Sequence, residues 1–148
     1  MNIIDVQDIQ DNLAIDPAIV EKNADRILKM LGKKNCELSL VLCDDRYIRR
    51  LNKQYLGKDK PTNVISFPQQ EGEGIEGNHL GDIVISAQRA SSEAGKSGIT
   101  FEERLLQLIV HGICHLCGYD HEDVSLDKAQ QMEKKELELL EKLAEKPV

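Results

Sequence analysis

Apolar residues recur along the chain at two different spacings. Val20, Ala24, Ile27, Leu28 and Leu31 follow the three-and-four spacing of a helix face. Asp16-Pro17 precedes them as a cap and a first helical position, and Gly32 ends the run. Between Glu37 and Cys43 the period drops to two. Leu38, Leu40 and Leu42 share one face and Ser39, Val41 and Cys43 the other, which predicts a strand buried on both sides. Asp44 caps a second helix with Tyr47, Ile48, Leu51 and Tyr55 on one side and Arg46, Arg49, Arg50 and Lys53 on the opposite side. Residues 2–6, Val64 to Phe67 (closed by Pro68) and Leu80 to Ile85 predict further strands. Gln69 to Asn78, rich in Gly and Glu, reads as a mobile loop. Ser86 opens a helix whose small positions, Ala87, Ala90 and Ala94, allow close packing. Thr100 and Glu103 form a capping box for a helix that runs to about Gly118. A last helix, from about Val124 to Leu143, carries Leu126, Ala129, Met132, Leu140 and Leu143 as its inner stripe. The sum is one α+β domain over residues 1–148, with a three- or four-stranded mixed sheet and about five helices.

Composition agrees with a packed domain. The chain has 148 residues, 41% hydrophobic and 30% charged, which excludes disordered and collagen-like classes. No apolar run reaches the ~18 residues of a membrane span; Leu105 to Cys117 is broken by Gln107, His111 and His115. The start, Met1-Asn2-Ile3-Ile4-Asp5, has neither a basic lead nor a long apolar segment, so the expectation is a cytoplasmic protein with no membrane association. Four cysteines in such a chain read as thiols. Aromatics are only 3%, with no Trp, so recognition by stacking on aromatic platforms has little to work with. The net charge of −7 alone argues against nucleic acid, but its distribution does not. Residues 22–60 carry eleven Lys and Arg against five Asp and Glu, between two acidic stretches. A basic block of this kind steers a polyanion to one face. Arg46, Arg49, Arg50 and Lys53 on the second helix, followed by Lys58 and Lys60 in the loop, are the candidate phosphate contacts. No acidic residue lies on that helix face.

Three of the four histidines fall within His111-Gly-Ile-Cys-His115-Leu-Cys-Gly118-Tyr-Asp-His121. Four residues apart on a helix, His111 and His115 place their imidazoles on one face. Gly118 lets the chain turn so that His121 reaches the same ion. Three imidazoles with one open position suit catalytic zinc, and imidazole also accepts nickel or iron. Zinc peptidases with related spacing carry a Glu directly after the first His as general base. That position here is Gly112, so the metal face is present without the peptidase base. Asp82 and Asp120 are the candidate base or ligand-orienting carboxylates. Cys114-x-x-Cys117 flanks a ligand on a helix instead of opening one after a strand, so buried thiols suit it better than a redox pair.

Taken together, Lys58 to Pro68 (KDKPTNVISFP), Leu80 to Ser86 (LGDIVIS) and His111 to His121 (HGICHLCGYDH) resemble the YbeY endoribonucleases, bacterial rRNA maturation factors. The order and spacing match over about residues 37–143. The resemblance implies a zincin-like α+β fold, zinc held by His111, His115 and His121, and a single-strand-specific endoribonuclease. It implies action in 16S rRNA 3′-end maturation and ribosome quality control, with rRNA and the small ribosomal subunit as partners. Many relatives carry an Arg where this chain has Leu56, so Lys53 or Lys58 must replace that cation or activity differs. Cys114 and Cys117 stand where the family often has Leu. Two rival readings stay open: a metallohydrolase of another substrate, and a non-catalytic ribosome-binding module with a structural metal. A monomer is the favoured state.

Overall fold

The computed structural model describes residues 1–69, 78–118 and 126–148. Among these, four strands and five helices follow one another as β1 (Ile3–Asp8), α1 (Pro17–Met30), β2 (Cys36–Cys43), α2 (Asp45–Leu56), β3 (Val64–Pro68), β4 (Asn78–Ser86), α3 (Ala87–Ser97), α4 (Phe101–Leu116) and α5 (Leu126–Glu145). The predicted loop falls at 70–77, outside the described residues, and β4 already begins at Asn78.

The helix starts are those the caps dictate. Asp16, Asp44, Ser86 and Thr100 each accept a hydrogen bond from a backbone N–H of the first turn, so donors that a helix cannot satisfy internally are met by side chains. Gly57 and Gly98 take the left-handed conformation that ends α2 and α3.

The sheet order is β1-β2-β4-β3. β1, β2 and β4 run parallel, and β3 runs antiparallel to β4 on the edge. Leu38, Leu40, Leu42, Ile83 and Ile85 point into the larger core, where they meet Ile27 and Leu28 of α1 and Ile109 and Ile113 of α4. The other sheet face, with Cys43, Ile65 and Val84, packs under Ile48 of α2. On β2 the Leu38, Leu40 and Leu42 face is fully buried, whereas on the other face Ser39 and Val41 are only partly buried and full burial is reached at Cys43, so the predicted burial on both sides holds only in part. On α5 the buried stripe is Met132, Leu139 and Leu143. Leu140, expected inward, is only partly buried, because the helix is rotated to seat its neighbour Leu139.

Two glycines are fixed by close approach. Gly81 (φ +140°) sits where β2 and β4 shift register, and a Cβ there would lie 2.3 Å from the Phe67 carbonyl oxygen and 3.0 Å from Gln69 N. Gly112 faces β4, and a Cβ there would lie 2.9 Å from Ile83 Cγ2. None of the described helices is long and apolar enough to cross a membrane.

Gly81→Ala combines a backbone clash with an unfavourable φ, a loss of about 2–4 kcal/mol. At about 2–4 °C per kcal/mol for a chain of this size, thermal unfolding monitored by circular dichroism should shift down by about 5–15 °C.

Candidate active site along the edge strand

A cleft of about 580 Å³ runs beside edge strand β3 and is lined by Val64, Ile65 and Ser66. Helix α4 supplies one wall with His111 and His115, α3 another with Arg89 and Glu93, and the α2 end with its loop the third, with Asn52, Leu56, Lys58 and Lys60. The two histidines on one helix face and the two loop lysines therefore line one cavity, although more than fifty residues separate the two groups in sequence.

Each wall is held by identifiable contacts. His111 Nδ1 lies 2.7 Å from Glu136 Oε1 on α5. A carboxylate only accepts, so the contact puts the proton on Nδ1 and leaves the Nε2 lone pair free of it. A carboxylate behind an imidazole is the arrangement that orients metal-binding histidines. The buried Asn52 donates through Nδ2 to the Lys60 carbonyl at 2.8 Å, and its own carbonyl accepts from Lys58 N at 3.2 Å. The buried side-chain amide thus pins the Lys60 end of the loop, and the Asn52 backbone carbonyl, at the end of α2, holds the Lys58 end. Arg89 donates from Nη2 to Asp45 Oδ2 at 3.0 Å, and Asp45 Oδ1 accepts from Ser86 Oγ at 2.7 Å. Glu93 accepts from Asn63 Nδ2 (3.2 Å) and Arg104 Nε (3.1 Å).

The basic helix face divides. Arg49 Nε donates to Asp59 Oδ1 at 2.8 Å, and Lys53 Nζ lies 4.0 Å from Asp59 Oδ2. The Arg49 hydrogen bond holds the Asp59 carboxyl below its usual value. The acid missing from the helix face is therefore supplied by the loop, and two of the six expected phosphate contacts, Arg49 and Lys53, are engaged within the chain. Arg46 and Arg50 line a separate pocket with Ile9, Asp44 and Tyr47, and the Arg50 guanidinium stacks 5.6 Å from the Tyr47 ring centre. None of the four helix cations lines the histidine cleft.

Asp82 alternates with Ile83 on β4 and pairs across to Phe67 and Ser39. Since Ile83 faces α4 at Gly112, Asp82 points to the opposite sheet face, and it is absent from the cleft lining. His121 and Asp120 lie outside the described residues. Among the described residues, no group of three or more His, Cys, Asp or Glu side chains converges as a metal cluster. Cys114 is buried and burial pushes its thiol up to about 12, so it is held protonated, unlike a redox-active thiolate. The Cys117 thiol is raised by burial as well.

The whole chain can be placed against known proteins on this arrangement. A family model described as endoribonuclease YbeY matches residues 5–144. The chain belongs to the endoribonuclease YbeY family. Relatives named endoribonuclease YbeY include that of Syntrophotalea carbinolica, 43% identical over 147 residues covering 98% of both chains. That of Geobacter metallireducens is 48% identical over 122 residues, 81% of each chain. That of Aquifex aeolicus is 50% identical over 121 residues, 81% of this chain and 76% of the relative. The solution structure of TM1509 from Thermotoga maritima superposes with a TM-score of 0.64 at 25% identity, covering 99% of this chain and 94% of that one. In this chain, Leu56 lines the cleft with no charge to offer, and Arg89 brings a cation into the same cleft from α3. Arg89, Asn52 and Glu136 carry no sequence signal of their own: each is an ordinary helix residue until the topology joins it to the cleft.

Asn52→Leu leaves the Lys60 carbonyl without its donor, a loss of about 1–3 kcal/mol. Thermal unfolding should shift down by about 2–12 °C, and limited proteolysis should cut first within residues 57–62. Unchanged stability and an unchanged cleavage pattern would show that the loop is held by other contacts.

Proposed function

We propose that this chain is a metal-dependent endoribonuclease that cuts single-stranded RNA in the β3 cleft. Cleavage of RNA as such follows from membership of the family. The observation that carries the finer reading is the placing of His111 and His115, the first oriented by Glu136, in one cavity with Lys58, Lys60 and Arg89. His111, His115 and His121 hold the ion, zinc first by donor type, with nickel or iron also suited. The fit is supported by the Glu136–His111 contact, which turns Nε2 outward as a ligating imidazole requires. A divalent ion in such a site supplies Lewis acidity and a water of lowered pKa. Lys58 and Lys60 hold substrate phosphates, and Arg89, braced by Asp45, supplies the cation that Leu56 lacks. Glu136 keeps the His111 proton on Nδ1. The substrate is rRNA on the small ribosomal subunit in the cytoplasm, in 16S rRNA 3′-end maturation and ribosome quality control. The peptidase reading is weakened by packing as well as chemistry, because a carboxylate side chain at position 112 would start into Ile83, away from the cleft.

Metal analysis by mass spectrometry beside an RNA cleavage assay tests this reading. His111→Ala and His115→Ala should each lose stoichiometric metal while keeping the circular dichroism spectrum of the parent, and RNA cleavage should fall at least a hundredfold. Metal retained at parental levels by both variants would sink the assignment. Binding of a polyanion releases counterions, so RNA affinity should fall with salt with a slope of about −0.7 per phosphate contacted. Lys58→Ala with Lys60→Ala should flatten that slope by about one to two contacts, and Arg46→Ser, Arg49→Ser and Lys53→Ser together by less, because Asp59 already holds two of those three. Equal slopes for parent and the double variant would place the RNA elsewhere.

A further inference from the structure

A second cavity, of about 430 Å³, opens between α4 and α5 and shares Asn63, Val64 and His111 with the basic cleft. The two are therefore arms of one groove that meet at His111. Their chemistry differs. The first arm sets Lys58, Lys60 and Arg89 against Glu93 alone. The second carries Glu133 and Glu136, and its cation, Arg104, is already engaged: Nε donates to Glu93 Oε1 at 3.1 Å and Nη1 to Gln107 Oε1 at 2.7 Å. Its remaining wall is apolar, with Leu108 at the base, Leu140 half-buried and Leu137 exposed on the surface. Glu133 is exposed and has no ion pair or hydrogen bond to any described residue.

With two carboxylates in the lining, and Arg104, the one lysine or arginine among the described lining residues, already engaged, a phosphate is repelled from this arm. An unstacked base can settle there, since it brings a flat apolar face for the leucines and edge groups for the carboxylate. We propose that the α4–α5 arm is a nucleobase subsite for the residue next to the cut bond, and that Glu133 selects cytosine, whose pairing edge carries an exocyclic amino group, over uracil. The amino group of cytosine donates to the Glu133 carboxylate, whereas uracil presents a carbonyl oxygen at the same place, and two acceptors repel. The proposal rests on RNA being the substrate, as argued above, and adds which base the groove favours.

The test uses the full chain and two labelled single-stranded octamers, oligo(C) and oligo(U), at pH 7.5. Binding is read by fluorescence anisotropy with chelator present, and cleavage with metal restored. The parent should favour oligo(C) about tenfold in both, within the range one carboxylate–amine pair discriminates. Glu133→Gln can turn its amide NH₂ to the uracil oxygen, so the ratio should fall to about one. Leu137→Ser should weaken both octamers alike. A parent without preference, or a preference that survives Glu133→Gln, overturns the subsite. Preference in binding without cleavage of either octamer would sustain the subsite and overturn the endoribonuclease reading. Cleavage of both without preference would do the reverse, and binding of neither overturns both.

Discussion

Helix α4 lies against β4 at Gly112 because nothing projects there. A Cβ at residue 112 would stand 2.9 Å from Ile83 Cγ2 and 3.0 Å from its Cδ1, so any larger side chain would lift the helix from the sheet or displace Ile83. The consequences reach both ends of the helix. Ile109 and Ile113, on either side of Gly112 in sequence, are buried in the core with Ile83 and Ile85. His111 and His115 are thereby set at a fixed height along edge strand β3, where the sheet ends and the cleft begins. The residue that removes the peptidase base is thus also the one that seats the histidine helix. A single constraint accounts for both.

The cleft is assembled from elements that contribute one function each. The edge strand gives a floor, the histidine helix one wall, α3 with Arg89 and Glu93 a second, and the basic loop the third. The loop is irregular backbone carrying two lysines whose mutual repulsion disfavours order. The buried Asn52 side-chain amide offsets this by donating to the Lys60 carbonyl, while the Asn52 backbone carbonyl accepts from Lys58 N. Asp59 acts in the same sense from outside by engaging Arg49 and Lys53. The positive charge that faces the cleft is therefore presented by a braced loop, while much of the charge on α2 is spent on holding that loop in place. A net charge of −7 is therefore compatible with the RNA site proposed for the cleft: what matters is the local ratio of cations to carboxylates, not the total.

How much of this is legible in the sequence depends on the range of the interaction. Caps and periodicities are local, so Asp16, Asp44, Ser86 and Thr100 are read correctly as helix starts and the paired faces of β2 emerge from alternation. The four-residue spacing of His111 and His115 is local too. Contacts across the fold are not. Glu136 lies twenty-five residues from His111 on a helix full of glutamates, and only the packing of α5 on α4 singles it out. Asp82 looks suitable by sequence, but a two-residue period turns it away once Ile83 is known to meet α4. The helical wheel of α2 groups four cations but cannot show that Asp59 engages two of them, because Asp59 lies beyond the helix end, where a wheel does not reach. The register of α5 fails by one position, Leu139 for Leu140, since adjacent leucines give a periodicity argument nothing to choose between.

The Glu136 contact also bears on how the site comes to exist. On an isolated α4, His111 would be free to rotate about χ1 and χ2 and to carry its proton on either nitrogen. Docking of α5 through Met132, Leu139 and Leu143 puts Glu136 behind the ring and fixes both choices. The apolar stripe of α5 and the chemistry of the α4 histidine are thus coupled through one helix: the same burial that stabilises the domain orients the imidazole. The carboxylate that serves as orienter comes from α5, whereas the cations come from residues 58–89. Tertiary packing must bring these segments together before the histidine pair is oriented toward a cationic cleft, so the site depends on the completed fold.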